Sequence, residues 1–167
     1  MQMTTVEQRL RTFLLGLSAW MCLGTIVELF LAKHYDDAVQ LVPFVLCGVG
    51  LIAVVAALRR PMRRTLLTLR GVMSLLVLGS LIGVYEHLVS NFAFQLDMRP
   101  SAVWSDVWLQ ALRGAAPLLA PGILAVAALI AIAATYAHPA LSRDLSAAVQ
   151  AQPAAGEVPL SQGRRAS

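Results

Sequence analysis

Four apolar stretches, each long enough or nearly long enough to cross a bilayer, dominate this sequence and restrict its fold more than any other feature. They cover residues 12–32, 39–58, 71–89 and 115–137. About 20 apolar residues are needed to span ~30 Å of hydrocarbon as a helix. Backbone polar groups in lipid must be satisfied within the segment, so such stretches become helices. With 58% hydrophobic and 13% charged residues, the chain is far from a soluble domain, in which about a quarter are charged. The sequence therefore predicts an all-α integral membrane protein, a four-transmembrane-helix bundle over residues 1–148. Residues 149–167, rich in Ala, Gln, Pro, Gly and Ser, read as a disordered cytoplasmic tail.

The connections sharpen this picture. Thr4-x-x-Glu7 and Thr5-x-x-Gln8 both fit a capping box, so the first helix is expected to begin before the membrane. The run is too long for a signal-peptide core and lacks a small-residue cleavage site, so it reads as a retained helix. A short polar turn, 33–38, makes the first two spans an antiparallel hairpin. Pro43 falls in the opening turns of the second, where proline is tolerated. Residues 100–113 carry Trp104, Trp108 and Leu112 at helical spacing, with Asp106 and Gln110 on other faces. They predict an interfacial amphipathic helix between spans three and four, with its tryptophans at headgroup depth or against a partner. Gly79-x-x-x-Gly83 and Ala127-x-x-x-Ala131 are candidate close-packing faces.

Basic residues set the orientation. The N-terminal segment, the 59–70 connection and the tail hold ten Lys and Arg; the other connections hold three. The positive-inside rule puts both termini in the cytoplasm, an N-in/C-in arrangement in the inner (plasma) membrane of a bacterium. Arg59, Arg60, Arg63 and Arg64 act as topology determinants in this reading. Arginines gathered at the ends of spans, without a basic and aromatic tail, exclude nucleic acid as a partner.

Function is less constrained. Glu28 lies inside the first run, and the first fifteen residues of the third, 71–85, hold no charge before Glu86 and His87. His34, Asp36, Asp37 and Gln40 lie on the hairpin turn, and Asn91 follows the third span. In an N-in arrangement all stand at the outer level, where an ionisable residue is a candidate site. Glu28, His34, Asp37 and His87 would suit a divalent transition metal if spans one and three are neighbours. Haem ranks lower, because His34 is on a turn. A polar network facing water or a partner explains the same residues. Cys22 and Cys47 lack metal-motif spacing and read as small buried hydrophobes, with a disulfide or metal ligand as the other reading. There is no G-x-S-x-G, H-E-x-x-H or P-loop, and no charge in the middle of a span to mark an ion path. The favoured reading is a non-catalytic subunit of a membrane complex, accessory or self-associating, with lipid and a homo-oligomeric or membrane partner as its contacts. A metal- or cofactor-binding, redox-linked membrane protein is the first alternative. An oligomeric small-solute transporter is the second.

His34-x-Asp36-Asp37-x-x-Gln40-x-x-Pro43, His87-x-x-x-Asn91, Gly114-Ala115-Ala116-Pro117, Ala120-Pro121-Gly122 and Thr135-Tyr136-x-His138-Pro139-Ala140-Leu141 together resemble a group of small, uncharacterised bacterial four-span integral membrane proteins. The resemblance runs from span one to about Leu141 and implies the architecture, with no activity attached. This chain departs from the group near Ala93 and Gln95, where the others are more polar, and in the wholly apolar stretch 123–132.

Overall fold

A computed structural model describes residues 4–101, 103–114 and 119–141. These fold into five helices: α1 (Thr5–Leu31), α2 (Ala38–Arg59), α3 (Arg63–Met98), α4 (Trp104–Leu112) and α5 (Leu119–Ala134). There is no strand among the described residues. α1, α2 and α3 are each long and apolar enough to cross a membrane, and residues 121–134 form a shorter apolar helix. The expected fourth span, 115–137, lies partly outside the described residues.

Local chemistry sets the ends. Thr4 caps α1: its hydroxyl accepts from Glu7 N at 3.3 Å, while the Glu7 carboxylate accepts from Thr4 N at 3.0 Å. This is the capping box expected from the sequence. At the other end, His34 N donates to Leu29 O and Lys33 N to Phe30 O, with Lys33 at φ 52°. That is a Schellman motif with lysine in the left-handed position glycine usually takes. It reverses the chain within a few residues, so α2 starts at Ala38 against α1. Gln40 Oε1 closes the turn by accepting from Asp36 N at 3.0 Å.

α1, α2, α3 and α5 form a ring in which α1 packs on α2, α2 on α3, α3 on α5 and α5 on α1. α1 and α3 are thus diagonal. Each presents a narrow buried stripe at three- and four-residue spacing: Leu15, Ser18, Cys22 and Thr25 on α1; Cys47, Gly50, Ala53, Val54 and Ala57 on α2; Leu66, Leu69, Met73, Leu76 and Ser80 on α3; Leu124, Ala127, Ala128, Ala131 and Ala134 on α5. Such spacing is the seam of antiparallel helices at shallow angles. Small residues on three of the four stripes let the backbones approach. A Cβ on Gly79 would lie 2.7 Å from Leu46 Cδ1 of α2, and one on Gly83 would lie 3.1 Å from Pro121 Cβ of α5. The two glycines therefore serve different neighbours.

Outside these stripes the surface is apolar. In the most apolar windows of α1, α2 and α3, only 22%, 28% and 22% of residues are buried. Trp20 is 72% exposed and Ile52 71%. Contiguous apolar surface on this scale marks a membrane or partner contact, and lipid is the solvent it fits.

One buried join binds α3 to α5. The Ser80 hydroxyl donates to Pro121 O and accepts from Ala125 N at 3.2 Å. It thus ties a carbonyl and an amide of α5, four residues apart, to α3.

Candidate functional site

α3 is the element that departs from expectation. The sequence predicts a span over 71–89 followed by a polar connection, yet the helix runs 36 residues, from Arg63 to Met98. At ~1.5 Å per residue that is ~54 Å, well beyond the ~30 Å hydrocarbon. The polar residues after Val89 do not end the helix because α4 folds back along them. Phe92 packs in a tilted arrangement against Trp104 and Trp108, each with ring centroids 5.4 Å from its own. Val107 and Ala111 are buried on the same side. Asn91, 4% exposed, donates from Nδ2 to Ala111 O at 3.1 Å, satisfying a carbonyl at the C-terminal end of α4. Gly114 passes so close that a Cβ there would meet Asn91 Cγ at 2.3 Å. α4 is also shorter than expected, Trp104–Leu112 rather than 100–113.

The arm made by the last turns of α3 and by α4 is amphipathic. Trp104, Trp108, Leu109 and Leu112 remain exposed, so the tryptophan stripe faces outward and Val107 and Ala111 face α3. Beside it, Gln95, Asp106, Leu109, Gln110 and Arg113 line an open cavity of about 360 Å³.

Leu46 of α2 lies opposite Gly79 of α3, which puts Glu86 and His87 level with the start of α2. A Cβ on Gly50 of α2 would lie 4.0 Å from Cys22 Sγ of α1, so Glu28, six residues further along α1, is toward the same end. Glu28, Glu86 and His87 therefore stand toward the same end of the bundle, on helices that are not neighbours. α1 and α3 are diagonal, so Glu28 and His87 do not share a helix interface. Glu28, Asp36, Asp37 and Glu86 are exposed, while His34, Gln40 and His87 are half-buried. Among the described residues no group of three or more His, Cys, Asp or Glu side chains could hold a metal ion. Of the adjacent pair, Glu86 turns outward, whereas His87 turns in far enough that its Nδ1 is buried with no hydrogen-bond partner among the described residues.

The opposite end carries a second polar constellation that sequence reasoning takes for topology signals alone. Arg70 donates from Nε to Thr135 Oγ1 at 2.7 Å and from Nη2 to Thr135 O at 3.0 Å. Arg11 reaches Ala134 O at 3.1 Å and Ala137 O at 3.4 Å. Two guanidinium groups thus bind carbonyls at the end of α5, where a cation is also favoured by the helix dipole. Ala137 holds a left-handed φ of 48°, and His138 Nδ1 then accepts from Ala140 N at 3.1 Å. Burial first, and the Arg11 charge second, hold the His138 pKa below its usual value, so its neutral, accepting form is favoured. Arg59, Arg60, Arg63 and Arg64 are exposed around the α2–α3 turn.

Comparison with protein-family models, with curated proteins and with solved structures finds no match to this chain.

Proposed function

We propose that this chain is a four-span protein of a bacterial inner membrane, of the small four-span group it resembles. In this reading both termini are cytoplasmic, and the chain serves as a non-catalytic subunit of a membrane complex, docking its partner through the α3–α4 arm. The observation that carries the reading is the arm itself. It extends the longest helix past the level where α2 begins, and it holds an outward row of Trp104, Trp108 and Leu112, 67%, 47% and 53% exposed. Rigid aromatics beside polar side chains are what interface anchors and partner surfaces are made of. The closed ring with α5 supports a fourth crossing, and ten basic residues against three support the orientation. In that orientation the arm lies on the periplasmic side at headgroup depth.

A photoreactive residue at Leu109, with one at Trp20 as the lipid-facing control, tests this in native membranes. The reading expects a discrete protein adduct from position 109, either a second copy or a different membrane protein, and lipid adducts alone from position 20. Lipid adducts alone from both positions would leave α4 a membrane anchor and remove the docking role.

A further inference from the structure

The bundle core gathers into one buried cluster two cysteines and a methionine that the sequence keeps far apart. Cys22 on α1 and Cys47 on α2 are free, wholly buried, and part of one core cluster. Met73 on α3, also wholly buried, closes the group from the third helix. The space between them is set by Gly50. A Cβ there would sit 3.5 Å from Met73 Cε and 4.0 Å from Cys22 Sγ. Both are ordinary contacts, so the core leaves about a methyl group's room beside Cys22 Sγ and the Met73 methyl. One turn before Cys22 on the same buried stripe, the Ser18 hydroxyl is 0% exposed and has no hydrogen-bond partner among the described residues. A buried, unpartnered hydroxyl in an apolar core calls for an explanation.

We propose that Cys22, Cys47 and Met73 form a binding site for a single copper(I) ion in the middle of the membrane-embedded bundle. Thiolate and thioether donors are soft and select copper(I). Zinc wants four nitrogen, sulfur or carboxylate ligands, and this part of the core holds two cysteines and a methionine. Charge decides the protonation. A net charge in an apolar core is costly, so the neutral combination is one thiolate, one thiol and one thioether around Cu⁺. Binding is then Cys–SH + Cu⁺ → Cys–S–Cu + H⁺, with no change of oxidation state. The thiol pair lets either sulfur give up the proton, and Ser18 is a polar step for it along the stripe.

The test is copper retention by the full chain in mild detergent, under anaerobic conditions, with Cu(I) buffered by bathocuproine disulfonate. About one Cu(I) per chain and about one proton released per ion are expected, with no retention of Zn(II). Cys22→Ser and Cys47→Ser should each weaken binding by at least about tenfold. Met73→Leu conserves volume and Gly50→Ala fills the space without a clash. Both keep the fold and should also weaken binding, so a loss in them cannot be blamed on unfolding. Wild-type chain that stays empty, or copper retained equally after the double change Cys22→Ser/Cys47→Ser, would overturn the site. Copper retained undiminished by Met73→Leu would remove the three-sulfur set.

Discussion

The Asn91–Gly114 contact gives the sharpest energetic prediction, because its two residues should behave as one. Asn91 is buried and holds the end of α4 through Ala111 O. Asn91→Ala removes that hydrogen bond, while Ala111 O keeps the Gly114 amide as a donor, a loss of about 0.5–1.5 kcal/mol. Gly114→Ala does more. Its methyl would lie 2.3–2.7 Å from the Asn91 carboxamide atoms, so the amide must leave and the hydrogen bond goes with it. Overpacking adds about 1–3 kcal/mol, for a total of about 1.5–4.5 kcal/mol. In the double variant the methyl introduced at position 114 enters the space the amide vacated. The strain vanishes, and the cost should fall back to that of Asn91→Ala within about 0.5 kcal/mol. The assay is thermal or denaturant unfolding in micelles, followed by tryptophan fluorescence. Trp104 and Trp108 pack against Phe92, the residue after Asn91, so they report on the arm. A Trp20→Phe background silences the remaining tryptophan, since the chain has three. Additive losses, with the double variant as weak as both changes summed, would refute the packing argument.

Further outcomes follow from the arginine-rich end. Arg70→Ala should cost about 2–3 kcal/mol, because two charge-assisted hydrogen bonds to Thr135 disappear; denaturant unfolding measures it. Ala137→Gly should raise stability by about 1 kcal/mol, since φ of 48° is strained for alanine and free for glycine; a higher melting temperature is the check. The lowered pKa of His138 gives a pH dependence of defined sign. The unfolded chain binds this proton near pH ~6.5 and the folded chain only below it, so stability is full above that value. It should fall on acidification and level off below the folded pKa. His138→Gln should flatten that part of the pH profile.

Much of this is legible in the sequence because it is local. The capping box at Thr4, the polar turn before Ala38 and the extents of α1 and α2 all follow from hydropathy and end chemistry within a few residues. The length of α3 escapes for a physical reason. Residues after Val89 fail a test for spanning lipid, but they remain a good helix once α4 covers one side of them. Span positions put Glu28, Glu86 and His87 toward one end, yet depth is one coordinate. The ring order, which sets α1 opposite α3, comes from packing and has no signature in any single segment. Arg11 and Arg70 look like topology signals, and only the return of α5 to their level gives them carbonyls to hold. Cys22 and Cys47 have no motif between them; the register of the α1–α2 hairpin brings them into one core cluster.

The central claim, a four-crossing bundle with both termini inside and the α3–α4 arm outside, is tested most directly by thiol accessibility in intact cells. Cys22 and Cys47 are buried, so introduced cysteines carry the signal. Ser105→Cys on the arm should react with a membrane-impermeant maleimide added to intact cells. Met62→Cys at the α2–α3 turn and Ser161→Cys near the C-terminus should react only after the membrane is permeabilised. Labelling of positions 105 and 161 from the same side would contradict the fourth crossing. Labelling of position 62 from outside, with 105 protected, would contradict the orientation.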